Sequence, residues 1–199
     1  VGAFNSIESG NTSYKPGRSC MREIIFNRVW AMPNHRTFSI PPINKLVEKY
    51  TTGAAGRILD PFANECTIGN VTNDLDPAFN TDYNMDALDF LQMQDDASAD
   101  VVLYDPPYSP RQVSECYKKF NRTVNMETTQ SSFWGDLKKE IARTVKPRGL
   151  VMSFGWNSGG IGKTLGFRII EILLVPHGGA HADTICTVEI RSNAERKLP

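Results

Sequence analysis

Three short apolar runs in this chain stop at an aspartate: Arg57-Ile58-Leu59-Asp60, Asn70-Val71-Thr72-Asn73-Asp74 and Val101-Val102-Leu103-Tyr104-Asp105. Runs this short, rich in β-branched and aliphatic residues, read as strands. Further strand candidates cover residues 149–156, 167–177 and 183–191. Helical segments separate them. Ile43, Leu46, Val47 and Tyr50 recur at i, i+3, i+4 and i+7, with Pro41 and Pro42 suited to a first turn. Residues 86–93, 111–120 (behind Pro110) and 132–146 also read as helices. The alternation predicts an α/β fold, a mainly parallel sheet covered by helices and closed by an antiparallel hairpin.

In such sheets ligands bind beyond the carboxyl ends of the strands, near the point where strand order reverses. Three acids delivered to that edge predict a polar site there. The chain has 199 residues with 40% hydrophobic content, enough for one core. We expect one domain over residues 21–199, preceded by a loose polar arm over residues 1–20. No apolar run approaches ~18 residues and no signal-peptide pattern opens the chain, so no membrane association is expected. Cys20, Cys66, Cys116 and Cys186 show no CxxC spacing, which reads as reduced thiols in a cytoplasmic setting. Formal net charge is zero, but residues 1–100 hold 8 Lys/Arg against 13 Asp/Glu and residues 101–199 hold 14 against 9. A polarised neutral chain can still offer one basic face to phosphates, and chance asymmetry of a solvated surface gives the same count.

Each strand end has a chemical reading and a plainer one. Asp60-Pro61-Phe62-Ala63-Asn64 is a tight turn after a strand, and Asn64 occupies a position that in such loops calls for glycine or a left-handed Asn. Asp74 can accept both hydroxyls of a ribose with Leu75 against an adenine ring; alternatively Asp74 or Asp76 caps a helix after Pro77. Asp86, before Ala87, can accept from an adenine amino group or serve as an N-cap. At Asp105-Pro106-Pro107-Tyr108 the prolines must end the strand, delivering a carboxylate, a stiff carbonyl and an aromatic ring to one spot.

Taken together, these motifs resemble those of S-adenosylmethionine-dependent amino-methyltransferases, chiefly the N6-adenine DNA methyltransferases. Asp105 to Tyr108 resembles their DPPY motif, Asp60-Pro61-Phe62 the start of their cofactor motif, and Asn73 to Pro77 their ribose-gripping acidic motif. Asp86-Ala87 is similar to the acid that meets the cofactor adenine, and Arg36 to Ile40, with Phe38, to the segment that closes over the methionine part. The order of motifs over residues 27–191 looks most like small adenine methyltransferases carried by phages and mobile elements. The resemblance implies a Rossmann-like methyltransferase fold with a seven-stranded sheet, S-adenosylmethionine as methyl donor and double-stranded DNA as partner. It departs from the family's DPFxGxG pattern, with no glycine before Gly69.

The implied chemistry needs those residue types. An aromatic amino nitrogen is a poor nucleophile until acceptors take its two hydrogens, and Asp105 and the Pro106 carbonyl suit that task. Tyr108 then offers a face for the base, which must leave the duplex to reach it. Arg111, Lys118, Lys119 and Arg122 can track phosphates or form a solvated helix face. Asn157 and Ser158 can line the base pocket or form a Gly-rich turn. His177, His181 and Asp183 lack a supporting Cys pair, so no metal is expected. A C5-cytosine reaction is excluded because no cysteine follows proline as that chemistry's nucleophile usually does. N4-cytosine enzymes more often carry Ser where Asp105 stands. An RNA or exocyclic-guanine N-methyltransferase and an inactive nucleic-acid-binding subunit remain as alternatives, and so small a domain is a candidate homodimer.

Overall fold

The computed structural model describes residues 23–52, 56–107, 131–179 and 181–193, with residues 131–133 as backbone only. The strands are β1 (Ile25–Arg28), β2 (Ile58–Asp60), β3 (Val71–Thr72), β4 (Ala99–Tyr104), β5 (Val145–Gly155), β6 (Phe167–Val175) and β7 (Thr184–Arg191). The longer helices are α1 (Pro41–Thr51), α2 (Ala87–Gln92) and α3 (Ser131–Thr144). Alternation along β4 divides the core. Val101 and Leu103 pack with Ile43, Leu46 and Val47 of α1 on one face of the sheet. Val102 and Tyr104 pack with Phe90 and Leu91 of α2 and Leu137 and Ile141 of α3 on the other. A strand covered on both faces must be apolar at every position, which is why the period-two signal is missing from this run.

The seven strands form one sheet in the order β1-β6-β7-β5-β4-β2-β3. β7 runs antiparallel to both β5 and β6, and every other pairing is parallel. The predicted closing hairpin is β6–β7, with β7 inserted beside β5. The chain passes from β2 outward to β3, then back across β2 to β4. The strand order therefore reverses between β2 and β4, and their carboxyl ends border a crevice at that point.

Three details of the fold differ from those expected of the sequence. The seventh strand is β1, a segment expected to hold no strand. All four of its residues are exposed, so no buried–exposed alternation marks it. The second acidic strand is only Val71–Thr72, extended by an isolated bridge between Asn73 and Tyr83. β5 begins at Val145 rather than residue 149, because an irregular register between Ala99/Val145 and Val101/Leu150 takes up the turn-like Lys146 to Gly149, with Arg148 at φ +66°. The predicted arm over residues 1–20 and the helix over residues 111–120 lie outside the described residues.

Candidate active site

β2 ends in Asp60, and the turn that follows is built by hydrogen bonds rather than by glycines. Phe62 N–H donates to Asp60 Oδ1 at 3.2 Å and Cys66 N–H to the Ala63 carbonyl at 2.7 Å. Asn64 sits at φ +51°, the left-handed conformation expected of it. Its N–H donates to Asp74 Oδ2 at 2.8 Å, and Asp76 N–H donates to Asp74 Oδ1 at 2.9 Å. Asp76 turns away to accept from Ala78 N–H at 2.9 Å, so of the two candidate ribose acids only Asp74 faces the crevice. No helix follows Pro77; the segment is a turn capped by Asp76. Asp86 takes the N-cap role for α2, accepting from Leu88 N–H at 2.9 Å, and also borders the crevice.

Asn73, which the sequence marks only as the first residue of the acidic motif, joins these pieces. It is fully buried, and its Nδ2 donates to the carbonyls of Pro61 and Met85, both at 3.1 Å. Its Oδ1 accepts from Met85 N–H at 3.1 Å, and its carbonyl accepts from Ala63 N–H at 2.9 Å. One side chain thus ties the turn after β2 to the entry of α2. A polar residue at a strand end beside three acids was the available signal. Gly69, the first glycine of the loop, is needed for closeness: a Cβ there would stand 2.8 Å from Asp60 Cβ.

Together the strand ends enclose a cavity of about 560 Å³. Of the predicted site residues it gathers Phe38, Pro61, Phe62, Ala63, Asn64, Asp74, Leu75, Asp86, Ala87, Asp105, Pro106 and Pro107. Asp60 lies beneath it, fully buried, with no partner for Oδ2 among the described residues. Phe38 is anchored edge-on to Phe154 of β5, with centroids 4.8 Å apart. The wall also includes His35, Glu65, Cys66 and Asn44, which the sequence reading passed over. Arg36 pairs with Glu65, joining the segment before α1 to the turn after β2 at the rim. Asn157 and Ser158 sit in an exposed turn after β5 and do not line the cavity. There Asn157 Oδ1 accepts from Gly159 N–H at 2.8 Å, and buried Glu189 accepts from Ile161 and Gly162. Tyr108, Arg111, Lys118, Lys119 and Arg122 lie outside the described residues.

The cavity is acidic. Burial, reinforced by the nearby charges of Asp105 and Asp74, pushes the Asp60 carboxyl well above the usual carboxylate range. Burial also raises Asp74, against the hydrogen bonds from Asp76 and Asn64 that favour its charge. The Cys66 thiol is pushed up to about 11, chiefly by burial. With Arg36 engaged by Glu65, these walls favour a ligand that carries positive charge and donates hydrogen bonds. A cavity of this size with an apolar lining and a few directed acids suits a nucleoside-like molecule.

His177 is structural. Its Nδ1 lies 2.9 Å from the Ala31 carbonyl, which can only accept, and its Nε2 lies 2.9 Å from Thr184 Oγ1. Asp183 accepts from His177 N–H at 3.3 Å. Among the described residues no group of three His, Cys, Asp or Glu side chains is placed to hold a metal ion, and no helix is long and apolar enough to cross a membrane.

Among solved structures, the Escherichia coli protein yhhF, assigned as a methyltransferase, superposes with a TM-score of 0.52 at 10% identity, over 83% of this chain and 92% of that one. The 1,6-didemethyltoxoflavin-N1-methyltransferase of Burkholderia thailandensis, solved with bound 1,6-didemethyltoxoflavin and S-adenosylhomocysteine, gives 0.50 at 12% identity over 76% and 77%. The N-methyltransferase NodS of Bradyrhizobium japonicum gives 0.50 at 9% identity over 76% and 96%. The chain has the Rossmann-like methyltransferase fold. No protein-family model matches it, and no curated protein matches it in sequence. Within that methyltransferase fold, the cavity between β2 and β4 lies where the strand order reverses.

Proposed function

We propose that this protein transfers a methyl group from S-adenosylmethionine to the exocyclic N6 of an adenine flipped out of double-stranded DNA. The observation that carries the reading is the convergence of Asp74, Asp86, Phe38 and the Asp105-Pro106-Pro107 turn on one cavity. The donor supplies an electrophilic methyl on a sulfonium. In this reading Asp74, which lines the cavity, accepts from the donor's ribose hydroxyls and Asp86 from its adenine amino group, while Leu75, Phe62 and Ala87 give apolar contact. The acidic walls suit a cation. A similar fold holding S-adenosylhomocysteine, in the Burkholderia enzyme, supports the cofactor reading.

For the acceptor, the Asp105 carboxylate and Pro106 carbonyl take the two hydrogens of an amino group and free its lone pair for in-line attack. Asp rather than Ser at this position, within the DPPY sequence, favours an adenine amino group. The base must be extruded to reach a crevice of this kind. The test is incubation of the protein with S-adenosylmethionine labelled at the methyl group and, in parallel, unmethylated DNA or unmodified RNA, followed by nucleoside analysis. Label in N6-methyldeoxyadenosine is expected. Label only in RNA assigns the RNA reading, and no transfer to either polymer overturns methyl transfer to nucleic acid.

A further inference from the structure

Residues 23–30 are exposed without interruption, yet five of the eight are apolar. Ile24, Ile25, Phe26, Val29 and Trp30 are each between 45% and 62% exposed, and Met32 follows at 67%. Their strand, β1, closes one edge of the sheet and is paired only to β6 among the described residues. An open edge with apolar side chains is a template for another strand unless something covers it.

The backbone fixes which groups face outward. Val29 N–H donates to the Leu174 carbonyl at 3.0 Å and Ala31 N–H to the Pro176 carbonyl at 3.2 Å. Odd-numbered residues thus turn their N–H and C=O toward β6. Ile24, Phe26 and Arg28 turn theirs to the open edge, because a parallel ladder alternates.

We propose that two copies of this chain associate through β1, paired antiparallel about a two-fold axis at Asn27. An isologous antiparallel ladder must set even-numbered residues opposite even-numbered ones, which leaves few registers. A register centred on Arg28 sets two guanidiniums against each other. One centred on Phe26 leaves Trp30 without a cross-strand partner on the described strand. The register centred on Asn27 sets Ile24 opposite the partner's Trp30, Ile25 opposite the partner's Val29, and Phe26 opposite the partner's Arg28. Each exposed apolar side chain of the strand then meets an apolar side chain or a guanidinium, which favours an aromatic face.

The area is of the right order. The six exposed apolar side chains present on the order of 600–700 Å² per copy, against about 800 Å² per partner in a standard interface. A second cavity of about 760 Å³, walled by Val29, Trp30, Met32 and Pro33, continues this apolar surface toward α1. Antiparallel pairing directs the carboxyl edges of the two sheets in opposite directions, so neither cavity is covered. This association does not depend on the reaction proposed above.

The test uses the full chain. Sedimentation velocity up to about 100 µM is expected to show a dimer. Oxidised Asn27→Cys is expected to form a covalent dimer well above the background of the unaltered chain, because a non-hydrogen-bonded antiparallel pair brings Cα atoms within disulfide range. Ile24→Cys, which faces Trp30 of the partner subunit, is not. Phe26→Lys, an exposed substitution, should weaken association at least tenfold by meeting the partner's Arg28, and adding Arg28→Glu should restore it. A monomer throughout that range, as when residues 1–22 of the same chain cover the edge, overturns the proposal. So does equal cross-linking of Asn27→Cys and Ile24→Cys, or failure of the double variant to recover.

Discussion

The backbone N–H of Asn64 donates to the Oδ2 of Asp74 at 2.8 Å, so the left-handed turn after β2 and the acid after β3 form one unit. The conformation at Asn64 aims the N–H, and the acid holds it. A glycine-rich loop reaches similar turns through freedom; here hydrogen bonds do it.

Substitution at Asn64 should follow its φ. Asn64→Ala is expected to destabilise the protein by about 1–2 kcal/mol, the usual cost of a left-handed conformation for a residue with a Cβ and no local hydrogen bond. Asn64→Gly should stay within about 1 kcal/mol of the parent. Chemical denaturation of the two variants checks the ordering.

Asp105→Ala should leave binding of S-adenosylmethionine intact and remove at least about 3 kcal/mol of transition-state stabilisation, the scale of one lost polar stabiliser. Calorimetry and single-turnover methyl transfer, run side by side, separate the two effects. Normal turnover by this variant would remove the proposed mechanism.

Asp74→Ala should weaken binding of the same cofactor by about 1.5–3 kcal/mol, the value of charge-assisted hydrogen bonds. The variant also frees the N–H groups of Asn64 and Asp76, so its thermal midpoint should fall even without ligand. Asp74→Asn, which keeps one acceptor oxygen, is expected to fall between the two. Affinity unchanged in Asp74→Ala would place the ribose contact elsewhere.

The pH dependence of stability has a definite sign. The Asp60, Asp74 and Glu189 carboxyls are all raised in the fold, each chiefly by burial. Between its unfolded and folded pKa such a group holds a proton only in the native state, so stability falls as pH rises through that window. The thermal midpoint of the ligand-free protein should therefore climb on mild acidification from neutrality. Asp60→Asn should flatten that climb, and an unchanged slope would show that Asp60 titrates normally.

Cys66 offers a chemical probe of the cavity. With its thiol pushed up to about 11, alkylation by iodoacetamide at pH 8 should run roughly a hundredfold slower than at an ordinary cysteine and rise with pH. Saturating S-adenosylmethionine should suppress it further, since the residue lines the cavity. Peptide mapping by mass spectrometry reads both effects.

Much of this architecture was legible in the chain. The alternation of apolar runs and helical stripes marks the parallel sheet, and Pro41 and Pro42 begin α1 as their fixed φ allows. The acids at positions 60, 74 and 105 were readable because an aspartate ending an apolar run has few other reasons to be there. What escaped had no local pattern. β1 is exposed on all four residues, so no periodicity marks it, and only its pairing to β6 makes it a strand. Asn73 matters through four hydrogen bonds to three residues, Pro61, Ala63 and Met85, none of them adjacent in sequence. The turn at Asn157 and Ser158 resembled a pocket wall, but its course is fixed by Glu189, which holds the next residues from another strand.

The Asn73 knot and the Arg36–Glu65 pair differ in kind, and the difference divides labour. The knot is buried and satisfied at both ends of its amide, so opening it exposes several polar groups at once. The rim pair is about half exposed on both sides, and ion pairs of that sort contribute little and are screened by salt. The rim contact is therefore the cheaper of the two to open and the floor the costlier. Added salt should loosen the rim pair and leave the buried floor unchanged, so Arg36–Glu65 is the contact that yields first as ionic strength rises.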